Sequence, residues 1–89
     1  MSITIIIAVQ VTDFDEWKRM FDAVEPQRVA SGIHFKSFRN LDDPGAAYVI
    51  GTAPSKEIFT TFINSPERMK IQNSGVITSQ PDITFLEGS

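Results

Sequence analysis

The order in which strand-like and helix-like segments follow one another limits this chain more than any single motif. Residues 2–11 (SITIIIAVQV) are rich in β-branched side chains that alternate between two faces. Ile3, Ile5, Ile7, Val9 and Val11 share one face; Thr4, Ile6, Ala8 and Gln10 share the other. One face is uniformly aliphatic and the other mixed, as expected of a strand with a helix layer on one side only. Thr12-Asp13 stops the strand, and Asp13 with Glu16 reads as a capping box. Phe14, Trp17, Phe21 and Val24 then recur at helical spacing as one apolar stripe. Pro26 predicts a kink or break, and Gly32 ends the helical region. Residues 33–40 and 46–53 read as two strands joined by a turn at Asp42-Asp43-Pro44-Gly45, an antiparallel hairpin. Pro54-Ser55 opens a second helical region with Ile58, Phe59, Phe62 and Ile63 as its apolar residues. Ser65-Pro66-Glu67 is a further helix start, so this region divides near Asn64 and closes at Gly75. A loop through Ser79-Gln80-Pro81 leads to a last strand at residues 82–87. The order β-α-β-β-α-β in 89 residues predicts an α+β, ferredoxin-like fold, with helices on one face of a four-stranded antiparallel sheet.

A chain of this length, residues 1–89, is expected to form a single domain. It would bury only roughly 60–65% of the surface its unfolded form exposes. Seven Phe, one Trp and one Tyr are more than a small core needs, and such surplus goes into a dimer interface or a ligand cavity. The uncovered sheet face calls for a second layer, and a second copy of the chain is the expected partner. That contact would bury about 1,600 Å² or more in total. Eight Lys+Arg against eleven Asp+Glu give a net charge of −3, with the cations scattered, so a nucleic-acid partner is not expected. The absence of Cys excludes disulfides, thiolate metal sites, iron–sulfur ligation and a Cys nucleophile, and fits a cytoplasmic location. The N-terminal apolar run is too short to span a membrane and has no positive flank.

His34 is the one side chain whose ordinary pKa lies near neutrality, which makes it the default general base. The competing reading is a solvated strand-start His. Alternation sharpens the contrast: Ile33 and Phe35 are the helix-facing residues, so His34 turns toward the opposite face. Tyr48 is the candidate donor to a developing oxyanion, or a packing aromatic in mid-strand. Trp17 is the candidate surface for stacking a planar substrate, or plain core; Phe21 and Phe62 join it as candidate substrate contacts on helical stripes. Gln10 is either a polar group in a pocket mouth or an edge residue, and Asn73 has the same ambiguity. Arg39 with Asp42 and Asp43 reads more simply as a turn than as an anion or metal site. No supported Ser-His-Asp arrangement, Gly-rich phosphate loop or HExxH occurs, and neither metal nor cofactor is expected.

Residues 11–18 (VTDFDEWK), Phe21-Asp22, Asp42-Asp43-Pro44, residues 62–66 (FINSP), Ser74-Gly75-Val76 and residues 83–87 (ITFLE) resemble the small dimeric α/β-barrel proteins. Within these, the chain is similar to the antibiotic-biosynthesis-monooxygenase-like group, some of whose relatives carry cyclase labels. The resemblance covers nearly the whole chain and rests mostly on strand, cap and turn signatures. It implies two sheets packed back to back in a homodimer, with an apolar pocket between sheet and helices in each subunit. Members include cofactor-independent oxygenases, haem-degrading enzymes, lactone isomerases and polyketide cyclases, so fold does not settle function. The haem-degrading members use a pocket Asn on the first strand and a helical His on iron. Here the first strand has no Asn, and the one His lies on the second strand. The expected activity is a cofactor-independent monooxygenase- or cyclase-like reaction on a hydrophobic aromatic or polyketide-like molecule. The alternative is a non-catalytic homodimeric module that binds a small ligand or is purely structural.

Overall fold

The computed structural model describes residues 2–88. Its elements run β1 (Ile3–Gln10), α1 (Phe14–Ala23), α2 (Glu25–Ala30), β2 (His34–Arg39), β3 (Ala46–Ala53), α3 (Lys56–Ile63), α4 (Pro66–Asn73) and β4 (Asp82–Leu86). The strands form one antiparallel sheet in the order β2-β3-β1-β4, the strand order of a ferredoxin-like α+β fold. The aliphatic β1 lies inside the sheet, paired to β3 on one side and β4 on the other. That position suits it, since the inner strand gains most from β-branched packing.

Register then sorts every strand residue to a face. Ile5, Ile7 and Val9 are buried, and their partners Val49 and Ala47 on β3 are buried with them. Trp17, Val24, Phe59 and Ile71 close the core from the helix side. The opposite face carries the even-numbered residues of β1. Across it the register lines up Lys36, Ile50, Ile6 and Thr84 in one row and Phe38, Tyr48, Ala8 and Asp82 in the next. Apolar residues occupy the centre of these rows and polar ones most of the margins. Phe38, Ile50 and Leu86 on this face are 45%, 40% and 43% exposed, an apolar surface that no element of the same chain covers.

Local chemistry explains the helix breaks. The Asp13 carboxylate accepts from the backbone N–H groups of Asp15 at 3.0 Å and Glu16 at 3.3 Å, capping α1. The return bond of a full capping box is not formed among the described residues. The expected break falls at Val24, which ends α1 and opens α2, so Pro26 sits in the first turn of α2 where its missing N–H is harmless. Ser55 and Ser65 cap α3 and α4 through bonds to the Ile58 and Arg68 N–H groups, and the helices part at Asn64 as the sequence predicts. Gly32 and Gly75, at φ of 76° and 90°, leave α2 and α4 through left-handed backbone. Residues 76–79 are more than the connecting loop their sequence indicates. Val76 and Ile77 are buried, the Thr12 N–H donates to the Val76 carbonyl and the Thr78 N–H to that of Gln10, both at 2.9 Å. The segment thus seals the core beside the end of β1. Among the described residues no helix is long and apolar enough to cross a membrane.

Candidate functional site

A cavity of about 50 Å³ lies between the helices and the sheet. Its floor is Ile7 and Val9 of β1, Val49 of β3 and Phe35 of β2; its walls are Trp17 and Phe21 of α1 and Phe59, Phe62 and Ile63 of α3. Trp17 and Phe21 stack with centroids 5.3 Å apart and planes 25° from parallel. Phe59 meets Phe35 edge-on at 6.0 Å and Phe85 at 5.6 Å. These orientations suit ring quadrupoles.

Two cations interrupt this apolar lining, Arg28 of α2 and Arg68 of α4. Arg28 is only 3% exposed. Its Nη1 donates to the Phe21 carbonyl at 2.8 Å, and its guanidinium carbon lies 3.8 Å from the Phe21 ring centroid. Burial lowers the Arg28 pKa from its ordinary value, while the charges of Glu25 and Asp22 oppose that shift. Arg68 is half-buried, its Nη1 donates to Gln72 Oε1 at 3.0 Å, and burial lowers its pKa likewise. Neither forms an ion pair among the described residues, where the one salt bridge joins Lys18 to Asp22. Arginine stays protonated in proteins, so both contribute positive charge to an apolar hollow.

Six of the residues singled out in the sequence divide between the two sides of the sheet. Trp17, Phe21 and Phe62 line the cavity together. His34 is exposed on the open face, opposite Thr52. Tyr48, half-buried on that same face, lies opposite Phe38 and Ala8, with its hydroxyl accepting from Asn40 Nδ2 at 3.4 Å. Four residues of strand separate the His34 and Tyr48 levels, about 13 Å at the usual rise. Gln10 is exposed at the end of β1, where its backbone N–H donates to Ser79 Oγ at 2.9 Å. Asp43 is engaged in the hairpin turn: its Oδ1 accepts from the Gly45 N–H at 3.1 Å, while Asn40 Oδ1 accepts from the Asp42 and Asp43 N–H groups.

Sequence reasoning missed both arginines. A signal for Arg28 existed, because it follows Phe21 and Val24 at the spacing of the same helical stripe, a cation where the pattern calls for an apolar residue. For Arg68 the signal is weaker: it shares a side of α4 with buried Ile71, three residues on, but α4 has little amphipathic pattern.

The cavity is smaller than the several hundred Å³ usual for a bound organic molecule. Phe62 also borders an open groove of about 730 Å³ edged by Gln27 and Ala30 of α2 and Glu57, Ile58 and Thr61 of α3. Phe62 thus stands between cavity and groove.

No family model and no curated protein matches the sequence. Solved structures do match in fold. A conserved protein from Methanosarcina mazei Go1 is 13% identical, with a TM-score of 0.80 over 100% of this chain and 94% of that one. An antibiotic biosynthesis monooxygenase is 9% identical, with a TM-score of 0.78 over 98% of each chain. SnoaB, a cofactor-independent oxygenase from Streptomyces nogalater, is 13% identical, with a TM-score of 0.75 over 99% of this chain and 95% of that one. At such identities the likeness is one of fold, and the chain shares its ferredoxin-like architecture with antibiotic biosynthesis monooxygenase-like structures.

Proposed function

We propose that the cavity beside Trp17 binds a small planar molecule and that the chain acts on it as a cofactor-independent oxygenase, working as a homodimer paired through the open sheet faces. The observation that carries this reading is the apolar cavity lined by the aromatic rings of Trp17, Phe21, Phe35, Phe59 and Phe62. Kinship of fold with SnoaB supports the choice of chemistry. In such a reaction the substrate supplies the electrons. An activated ring CH₂ loses a proton, and the resulting carbanion passes electrons to dioxygen. One oxygen atom ends as a new carbonyl, and the other leaves as water with the two hydrogens. The protein's part is to hold the ring in one orientation, keep bulk water out and stabilise negative charge.

Pairing through the open face is supported by its anatomy, an apolar centre formed by Ile6, Ile50, Ala8 and Tyr48 with mostly polar margins. A specific observation favours the second reading, a binding module without turnover. Neither His34 nor Tyr48 lines the cavity, and its ionisable lining groups are arginines, which do not serve as bases at neutral pH. Oxygen uptake separates the two. With polyhydroxylated aromatic ketones as substrates, the oxygenase reading expects consumption of one dioxygen per product carbonyl, lowered at least about ten-fold in Trp17→Leu. Ligand binding without oxygen uptake across such a panel would favour the module. Uptake unaffected by Trp17→Leu would remove the cavity from the chemistry.

A further inference from the structure

Arg28 is a buried cation whose charge the fold meets only in part. Among the described residues no fully buried side-chain nitrogen lacks a hydrogen-bond partner, so the guanidinium N–H groups without a protein acceptor keep a little accessible surface. A guanidinium offers five N–H donors. This one is 3% exposed, and one protein acceptor, the Phe21 carbonyl, meets it through Nη1 among the described residues. The Phe21 ring 3.8 Å away offsets part of the buried charge through its π face, but it accepts none of the remaining N–H groups in their plane. Glu25 and Asp22 influence Arg28 electrostatically without coming within ion-pair distance. Buried cations are ordinarily matched by an anion, because leaving one unmatched costs far more than pairing it. A second guanidinium, that of Arg68, lines the same apolar hollow from the other helical region. It is held there by one bond to Gln72. Two arginines lining one partly open apolar hollow, with no carboxylate among its lining residues, describe half of a site.

We infer that the other half is a ligand's carboxylate, and that the cavity is built for a small aromatic monocarboxylate. Guanidinium and carboxylate match in plane and spacing, so the unused Arg28 donors are complementary to that group. The carboxylate lies between Arg28 and Arg68, while the attached ring meets the Trp17–Phe21 wall. The volume agrees with this division: about 50 Å³ takes the acid group and little more, and the ring gains its space when Phe62 turns toward the α2–α3 groove. The charge selected is single and negative. A neutral amide of the same shape would present N–H donors to donors, leaving polar groups unpaired on both sides.

This inference rests on the cavity being the binding site, and an isosteric ligand pair tests the two separately. Benzoate and benzamide are titrated against the full chain by calorimetry, at neutral pH and fixed salt. The expected result is benzoate binding at least about ten-fold tighter than benzamide. In Arg68→Gln, benzoate affinity should fall to within about two-fold of benzamide, with benzamide affinity unchanged; Arg68→Lys should restore part of the preference. Arg28→Gln should act likewise, and if it fails to fold, the half-buried Arg68 carries the test. Benzamide binding as tightly as benzoate would overturn the carboxylate assignment while leaving the cavity in place. A benzoate preference that survives in Arg68→Gln and in any folded Arg28 variant would overturn the role of the arginines. Failure of both ligands to bind would overturn the cavity reading itself.

Discussion

Gly51→Ala is expected to destabilise the protein by about 3 kcal/mol, toward the upper end of what overpacking costs. The cause is backbone, not side-chain, crowding. Gly51 lies in β3 directly opposite Phe35 of β2 and Ile5 of β1. A Cβ at Gly51 would stand 2.7 Å from Phe35 Cδ1 and 2.8 Å from Phe35 Cα, and would collide outright with the His34 carbonyl oxygen. Side chains can rotate away, but the Phe35 Cα and His34 carbonyl belong to a paired strand and cannot move without opening the β2–β3 ladder. For a domain of this length the loss is a large part of a total stability of roughly 4–13 kcal/mol. Urea unfolding followed by far-UV circular dichroism measures it. A change under about 1 kcal/mol would mean that the hairpin strands do not approach as described. The same approach matters to the site, because the missing side chain at Gly51 leaves room for the Phe35 ring on the helix side, where it forms part of the cavity floor.

The neighbouring residue gives the opposite result. Ile50→Glu is expected to leave each subunit folded and to abolish pairing. Ile50 points to the open face, 40% exposed in the isolated chain and flanked in its row by Ile6 and Lys36. Packing of two such faces would bury a carboxylate from each copy near the centre of the contact, where pairing with the neighbouring Lys36 would not repay the desolvation of both charges. The dissociation constant should rise at least about 100-fold, the effect of roughly 3 kcal/mol. Sedimentation velocity at micromolar concentration should give twice the 9.9 kDa chain mass for the wild type and the single-chain mass for Ile50→Glu. A wild type that sediments as a single chain, or a variant that still pairs, would contradict use of this face. Adjacent residues of one strand thus separate the two roles assigned to the sheet, since a β-strand alternates its side chains between faces.

That alternation is also why the fold was legible in the sequence. The β1 pattern, the hairpin turn at Asp42-Asp43-Pro44-Gly45 and the caps at Asp13, Ser55 and Ser65 are local signals, and local chemistry carries them into the structure. Alternation also separates His34 from Ile33 and Phe35, placing it across the sheet from Trp17. Less was legible where meaning depends on distant contacts. Val76 and Ile77 form too short an apolar pair to signal burial, and their role comes from docking beside the end of β1. Arg28 and Arg68 are 40 residues apart and share one cavity because α2 and α4 cover the same sheet face, a convergence absent from the linear order. Composition invited attention to the one His; tertiary packing gives it to two arginines instead.

Trp17 supplies the chain's one indole N–H, and His34 its one imidazole, so each gives its own NMR signal, one from the cavity lining and one from the open sheet face. Titration of labelled protein with benzoate should move the Trp17 indole resonance progressively to saturation and leave the His34 ring signals in place. Movement of the His34 signals with a stationary Trp17 indole would put the binding site on the open face and contradict the helix-side cavity as the functional centre.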